Sequence, residues 1–213
     1  MNEYLHINRS AYNRLAAEYE QRIERYRKHR EPELRIFEDR LRAEFKDPIH
    51  IFECGCGVGL DTLILTEHGF TVSAIDFSEA MVAYARKRAP KATIEIGEIL
   101  TTNRKREYQG VILSAVLHLF PDEIVPTLLD KIKGFLVNDG YATISTTSEN
   151  ISSQGIAEKA DYPGAERRFR RKYTEIDFKR VLEDNGFNIV EYWTHPEERP
   201  HVTWMVAVTQ VRR

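Results

Sequence analysis

The residues best placed to do chemistry lie in the segment 49–59, IHIFECGCGVG. An apolar strand ends there in an acidic residue, Glu53, and runs into three glycines at alternate positions, Gly55, Gly57 and Gly59. Glycines permit an unusual turn, expose backbone amide groups and let a ligand lie against the main chain at the carboxyl end of a strand. The segment therefore predicts a binding loop for a small ligand.

The glycine spacing separates the ligand classes that such loops bind. A dinucleotide fingerprint requires G-x-G-x-x-G, but Leu60 stands where its third glycine would be. A phosphate loop is excluded as well, because no Gly-Lys-Ser or Gly-Lys-Thr follows. A plain glycine turn without any ligand is the alternative interpretation.

A second acidic residue, Asp76, ends the next predicted strand, TVSAID. Nucleotide-binding sheets place a carboxylate about 20 residues after the glycine loop, where it accepts hydrogen bonds from ribose hydroxyls. Phe77 and Met81 follow at positions able to pack against a flat base, and Ser78 can cap the next helix. Met81 is equally suited to the core.

These residues are expected on a mostly parallel sheet, because short apolar runs alternate with helical segments from residue 49 onward. Gly69 and Gly140 are expected at or just beyond helix ends. The predicted strands lie near 49–53, 71–76, 93–97, 110–114 and 140–145, and the predicted helices near 60–68, 78–89 and 122–137.

The two ends of the chain differ from this middle. Apolar residues at helical spacing predict that the first 46 residues are helical, with a second helix that begins at Pro32. At the other end, Thr174 and Asp177 have capping-box spacing, and Gly186 is expected to end that helix. Two strands, 187–193 and 201–208, follow so closely that they predict an antiparallel hairpin.

Composition limits the class of protein. The 213 residues are 42% hydrophobic and 30% charged, which fits one globular domain. The net charge of −2 argues against nucleic acid as a partner. The chain shows neither a membrane span nor a cationic and apolar start, so we expect a cytoplasmic protein. Cys54 and Cys56 form neither a distant disulfide nor a zinc site, and no metal is expected.

ECGCGVG and AIDFSEAMVAYARKR resemble the cofactor segments of the class I S-adenosylmethionine-dependent methyltransferases. The resemblance extends from about residue 49 to the end, and AYNRLAAEYE is similar to the helical cap of many members. It implies an α/β, Rossmann-like sheet of seven mostly parallel strands with an antiparallel last strand and helices on both faces. It also implies one domain with four parts. These are an N-terminal helical cap (1–46), a cofactor-binding half (47–144), a substrate-cap insertion (145–173) and a C-terminal helix with a strand hairpin (174–213).

The resemblance also implies the cofactor, S-adenosyl-L-methionine, and residues that bind it. Glu53 is expected to hold the methionine amino group, and Asp76 the ribose. Glu98 stands where the family often has an aspartate that contacts the adenine amino group, with Ile99 beside the ring. The full set of expected cofactor-binding residues is Glu53, Gly55, Cys56, Gly57, Asp76, Phe77, Met81, Glu98, Ile99 and Ser114.

In the family fold the fourth strand, GVILSAVLHLF, ends beside the methyl group, so residues 114–118 are expected to border the reaction centre. Methyltransferases that act on amide or base nitrogens resemble one another in an Asn-Pro-Pro-Tyr or Asp-Pro-Pro-Tyr stretch here, and this chain lacks it. His118 is the titratable residue of the segment and can accept a proton from an attacking group. A hydrogen-bonded packing role is the alternative for His118.

Four residues are candidates for binding the substrate: Tyr12, Tyr19, Arg168 and Arg170. The two tyrosines are expected either to line a lid or to form a core-facing stripe. The run ERRFRRKY, residues 166–173, is expected to be a solvated charged face. An arginine pair that clamps a substrate carboxylate or phosphate, and an RNA contact, are the alternatives.

The sequence thus predicts a methyltransferase that transfers a methyl group to an O, N or S atom of a small molecule, as a monomer or homodimer. Two rivals stay open. One is an RNA-modifying methyltransferase of the same fold, and the other is a methyltransferase-like binding subunit that does not catalyse.

Overall fold

A computed structural model describes residues 3–158, 166–196 and 202–211. Two long helices precede the sheet. Short 3-10 helices lie at Ile23–Tyr26 and Leu117–Leu119. The helices are α1 Glu3–Arg22, α2 Arg27–Glu44, α3 Leu60–Glu67, α4 Glu79–Arg88, α5 Val125–Phe135 and α6 Glu175–Asp184. The strands are β1 His50–Cys54, β2 Thr71–Asp76, β3 Thr93–Ile96, β4 Tyr108–Ser114, β5 Leu136–Ser148, β6 Ser153–Glu158, β7 Arg167–Lys172, β8 Phe187–Pro196 and β9 Thr203–Val211.

Seven strands form one sheet in the order β3-β2-β1-β4-β5-β9-β8. Strands β1 to β5 pair in parallel, and β9 runs antiparallel to both β5 and β8. The predicted fold class, including the antiparallel last strand, is confirmed. In the described residues, no helix has the length and apolar character needed to cross a membrane.

The sheet is covered on both faces, because side chains of one strand point alternately to opposite sides. In β1, Phe52 and Cys54 join the core formed with α5 and α6, whereas Ile51 joins the core formed with α2 and α3. Leu34, Phe37 and Leu41, which recur at helical spacing on α2, are all fully buried in that second core. The second predicted helix therefore contacts the sheet directly.

The strand order reverses between β1 and β4, because β2 and β3 lie on one side of β1 and β4 and β5 on the other. In open α/β sheets, ligands bind in the crevice outside the carboxyl ends of the strands at such a switch point. The glycine loop after β1 opens at this position. The topology thus brings the predicted binding loop to the edge where a ligand site forms.

A separate two-stranded sheet, formed by β6 and β7, lies between β5 and α6 in the chain. Residues 145–148, which precede this small sheet, continue β5 of the main sheet. An isolated bridge joins Ser148 to Tyr173, so the hairpin leaves the main sheet and returns to it at one point. Residues 159–165, between β6 and β7, lie outside the described residues.

Two local expectations are wrong. The second helix begins at Arg27 and contains Pro32, so proline does not start it. Gly140 lies inside β5 rather than at a helix end, because α5 already stops at Phe135. There the sequence Asn138-Asp139-Gly140, typical of a turn, forms an irregular part of the strand in which Asp139 has a φ of 62°.

The C-terminal hairpin is confirmed by the antiparallel pairing of β8 with β9. Both strands are longer than predicted, and residues 197–201 of the predicted turn and second strand lie outside the described residues. The helix before them has the predicted cap, in which the side chain of Thr174 accepts a hydrogen bond from the amide of Asp177. Gly186 follows that helix with a φ of 83°, as a helix-ending glycine does.

Candidate functional site

A cavity of about 290 Å³ opens at the carboxyl ends of β1, β2 and β4. Helix α1 and strand β7 contribute further walls. Every residue that the sequence predicted for the site lines this one cavity: Tyr12, Tyr19, Glu53, Gly55, Cys56, Gly57, Asp76, Phe77, Met81, Glu98, Ile99, Ser114, His118, Arg168 and Arg170.

The glycine loop is held against β2 by its own amides. The amides of Gly55 and Cys56 donate to the carbonyl of Ile75 at 2.8 and 3.0 Å. Gly55 has a φ of 82°, and a Cβ at that position would lie 2.5 Å from Cγ2 of Val116. Gly57 has a φ of 52°, and a Cβ there would meet no atom within 4 Å. At Gly57, therefore, bare main chain faces the open cavity.

Asp76 lies beside this bare main chain. Its Oδ2 accepts a hydrogen bond from the amide of Gly57 at 2.9 Å, and its Oδ1 accepts one from the amide of Ser78 at 2.8 Å. Burial raises the pKa of Asp76 to about 6, although both amide hydrogen bonds act in the opposite direction. At neutral pH the carboxylate is thus ionised and able to accept further hydrogen bonds from a ligand.

Glu53, at the end of β1, is almost completely buried and accepts a hydrogen bond from the hydroxyl of Thr62. Burial, together with the negative charge of nearby Asp61, raises the pKa of Glu53 to about 8. Such a carboxyl group gains most from a ligand that brings a positive charge, because a nearby cation favours the ionised form.

An ionic network that the sequence analysis missed borders the same end of the cavity. Arg30 of α2 binds Asp61 through two hydrogen bonds of 3.1 and 2.6 Å and also pairs with Glu33. His195 of β8 pairs with Glu33, and this hydrogen bond raises the pKa of His195. No local pattern could have indicated the network, because its members come from α2, α3 and β8.

On the side of Asp76 that faces away from β1, the cavity wall is mainly apolar. Phe77, Met81 and Ile99 line it, and Met81 and Ile99 are buried. Glu98 also lines the cavity, and its carboxylate forms an ion pair with Arg9 of α1. The glutamate that replaces the family's usual aspartate is therefore paired with an arginine of the N-terminal helix.

The end of β4 contributes Ser114, whose hydroxyl lies 3.1 Å from that of Ser145. Just beyond it, Ala115 has a φ of 56°. The 3-10 helix that follows contains His118, which is buried, lines the cavity and lies with Nδ1 3.1 Å from the hydroxyl of Thr146. The imidazole thus has a fixed hydrogen-bonded position at the cavity wall.

Helix α1 covers the cavity. The rings of Tyr12 and Tyr19 lie 5.8 Å apart, and Tyr12 also lies 5.9 Å from the ring of Phe77. Asn8, another residue that the sequence analysis missed, donates to the carbonyl of Leu119 and accepts from the amide of Phe169. The single buried amide of Asn8 therefore joins α1 to two other walls.

The arginine run on β7 is divided by the alternation of the strand. Arg167 is exposed, whereas Arg168 is 7% exposed and Arg170 is half-buried. Arg168 donates from Nη1 to the hydroxyl of Tyr12 at 2.7 Å, and Arg170 donates to the hydroxyl of Thr147. The expectation of a solvated face is wrong for Arg168 and Arg170, because both turn toward the cavity.

Residues 26–192 match the family model of a methyltransferase domain. Trans-aconitate 2-methyltransferase of Variovorax paradoxus is 30% identical over 109 residues, which are 48% of this chain and 42% of that protein. A probable S-adenosyl-L-methionine-dependent methyltransferase TehB of Haemophilus influenzae is 24% identical over 148 residues, 68% of this chain and 51% of that protein. The alignments span about half the length of these relatives.

Solved structures share the fold over more of the chain. A Burkholderia thailandensis 1,6-didemethyltoxoflavin-N1-methyltransferase, crystallised with 1,6-didemethyltoxoflavin and S-adenosylhomocysteine, has a TM-score of 0.75 at 20% identity, covering 99% of this chain and 90% of its own. N-methyltransferase NodS from Bradyrhizobium japonicum, in complex with S-adenosylhomocysteine, has a TM-score of 0.63 at 16% identity and covers 87% of both chains. The match of the family model across most of the chain shows that this protein belongs to the class I S-adenosylmethionine-dependent methyltransferases.

Proposed function

We propose that this protein transfers a methyl group from S-adenosylmethionine to an O, N or S atom of a small molecule. The observation that carries the proposal is the bare main chain at Gly57, which faces the cavity between two buried carboxyl groups, Asp76 and Glu53. Membership of the methyltransferase family supports the same reaction.

The cavity fits this cofactor in its chemistry. Asp76 is a buried acceptor suited to ribose hydroxyls, and Glu53 is a buried carboxyl suited to the positively charged methionine amino group. Phe77, Met81 and Ile99 form an apolar wall suited to a flat base. When bound, the cofactor supplies an electrophilic methyl group on a sulfonium, and the residues of this chain have to position the acceptor.

Positioning and exclusion of water are the main tasks of the protein. Holding a nucleophile in line with the methyl group contributes up to about 7–11 kcal/mol, because translational and rotational entropy is lost before the reaction. Here α1 closes one side of the cavity through the contacts of Tyr12 with Arg168 and of Asn8 with Leu119 and Phe169. These contacts fix the walls between which an acceptor would lie.

His118 is our candidate for removing a proton from the acceptor. It lines the cavity just beyond Ser114, and its Nδ1 contact with Thr146 orients the ring. An imidazole titrates near neutral pH, so it can accept a proton from a hydroxyl, thiol or ammonium group that becomes methylated. The bond to Thr146 directs Nε2, the other ring nitrogen, away from that hydroxyl.

A small acceptor is favoured over RNA by the direction of the arginine side chains. Arg168 and Arg170, two of the arginines that an RNA contact would use, turn into the cavity. The names of two similar proteins, trans-aconitate 2-methyltransferase and 1,6-didemethyltoxoflavin-N1-methyltransferase, also describe reactions on small molecules. The intact loop and Asp76 favour catalysis over a purely binding role.

The test is transfer of a labelled methyl group from S-adenosylmethionine to small-molecule extracts and, in parallel, to purified RNA. We expect label in small-molecule products and none in RNA. Label found in RNA alone would overturn the choice of substrate. If S-adenosylhomocysteine does not bind the protein at all, the proposed reaction itself is wrong.

A further inference from the structure

We infer that the acceptor carries an anionic oxygen group, a carboxylate or a phosphate, and that Arg168 and Arg170 bind it. This inference rests on the proposed function, because it concerns the substrate of the same cavity. Its starting point is the division of the arginine run on β7 into side chains that face the cavity and side chains that do not.

The division follows from strand geometry. Residues two apart on a strand point to the same side, so Arg168 and Arg170 project together and both line the cavity. Phe169, between them, packs on the other side against the ring of Tyr4 at 5.8 Å. Burial of Phe169 in the core therefore determines which two arginines enter the cavity.

The two guanidinium groups are held in place by neighbouring polar groups. Arg168 is bonded to the hydroxyl of Tyr12, and the amide of Phe169 is bonded to buried Asn8, so the strand cannot shift or rotate without breaking these contacts. Arg170 is bonded to Thr147, which lines the cavity and pairs across β5 and β9 with Trp204. Two arginine side chains held in this way can bind a ligand without changing their conformation.

The charges of the cavity are distributed unequally. Asp76 and Glu53 lie around the glycine loop, where a cationic amino group is expected, and the nearby charge of Asp61 is paired with Arg30. The wall formed by β7 carries Arg168 and Arg170. Guanidinium groups present planar, forked donors that match the oxygens of a carboxylate or phosphate, so this wall is suited to an anion.

Glu149 provides an internal indication of what Arg170 binds. Its carboxylate lies 3.3 Å from Nη2 of Arg170, and its side chain is one-third exposed. A ligand carboxylate at the same guanidinium would be repelled by Glu149 and would partly replace it. Removal of the Glu149 charge should therefore strengthen anion binding, whereas removal of the Arg170 charge should weaken it.

Apolar side chains also line this part of the cavity. Leu5, Leu119, Phe120 and Trp204 line it together with the two arginines. An acceptor with an apolar or aromatic body and one anionic group would satisfy both kinds of wall. Benzoate and phenyl phosphate are suitable probes for the two anions, and benzamide is a neutral molecule of matching shape.

The experiment is calorimetric titration of the three probes into protein saturated with S-adenosylhomocysteine. We expect at least one anion to bind about tenfold or more tightly than benzamide, as one additional charge-assisted hydrogen bond would provide. Arg170→Gln should weaken that binding about tenfold, and Glu149→Gln should strengthen it by about threefold, because a charge near the surface is partly screened. Arg167→Gln, which removes the same charge from an exposed position of the same strand, should change it less than about twofold.

Three results would overturn the inference: neither anion binds better than benzamide, Arg167→Gln weakens binding as much as Arg170→Gln, or Glu149→Gln weakens it. Whichever anion binds more tightly identifies the group as carboxylate or phosphate. Arg168→Gln is informative if it folds, and Arg170 carries the test if it does not. Failure of S-adenosylhomocysteine to bind in the first step would contradict the proposed function instead.

Discussion

The cofactor side and the substrate side of the cavity are built in different ways. Around the glycine loop, the contacts join residues close in sequence: Gly57 with Asp76 across 19 positions and Thr62 with Glu53 across 9. On the substrate side, Tyr12 contacts Arg168 across 156 positions and Asn8 contacts Phe169 across 161. The contacts of the glycine loop therefore lie within one continuous segment, whereas the substrate side forms only after the chain ends have packed together.

The two sides also differ in charge and in what they can hold. Burial raises the pKa of Asp76 to about 6 and that of Glu53 to about 8, so these acids gain from hydroxyl or cationic partners. The substrate side presents the guanidinium groups of Arg168 and Arg170 and the imidazole of His118. Variants on the two sides should therefore separate cofactor binding from turnover.

The largest effect is expected from His118→Gln, on the substrate side. General acid-base catalysis contributes about a hundredfold or more, so kcat should fall by at least about that factor. The affinity for S-adenosylhomocysteine should stay unchanged, because His118 does not belong to the expected cofactor contacts. Steady-state kinetics and calorimetry on the same protein provide the check. A fall in kcat of less than about tenfold would assign His118 to packing rather than to proton transfer.

The next effect belongs to the cofactor side. Asp76→Ala should weaken binding of S-adenosylhomocysteine by about 1–3 kcal/mol, because buried hydrogen bonds to the ribose are lost. Calorimetry measures the change. Asp130→Ala is the matched control, since it removes an exposed aspartate from α5 that pairs with Lys133 outside the cavity. Equal affinity of the Asp76→Ala and Asp130→Ala proteins would remove Asp76 from the binding site.

A smaller effect should follow from pH. Burial raises the pKa of Asp76 to about 6, so the carboxylate is ionised above that pH and protonated below it. The ionised form accepts two hydroxyl donors, and binding therefore favours it. Glu53, whose pKa is raised to about 8, contributes a separate pH dependence above pH 7. Protonation of Asp76 should lower the affinity about tenfold between pH 7 and pH 5, as proton linkage requires for one group. Asp76→Asn should remove most of that dependence; an unchanged profile in this variant would assign the titration to another group.

The fold was accessible from sequence because its signals are local and repeated. Apolar runs alternating with helical segments predicted the sheet, and the glycine loop and Asp76 predicted the ligand edge. Errors arose where one motif fits two structures. Asn138-Asp139-Gly140 reads as the end of a helix but forms an irregular part of β5, and Pro32 is tolerated inside α2.

The substrate side could be predicted only in part, for a physical reason. The sequence ERRFRRKY does not show which arginines face solvent, because this depends on the packing of Phe169 in the core. The network of Arg30, Asp61, Glu33 and His195 was missed because it joins α2, α3 and β8, three elements far apart in sequence. Long-range packing creates these sites, and a single sequence does not display it.

The central claim is that bare main chain at Gly57 accommodates the cofactor, and Gly57→Ala tests it directly. The added methyl group would meet no protein atom within 4 Å, so the protein should fold with a penalty of about 1–2 kcal/mol for its positive φ. Calorimetry should show binding of S-adenosylhomocysteine weakened by at least about tenfold, the equivalent of one lost contact of 1.4 kcal/mol. Gly134→Ala, an added methyl in open space on α5, should bind like the original protein. A folded Gly57→Ala protein that binds as tightly as Gly134→Ala would contradict the account.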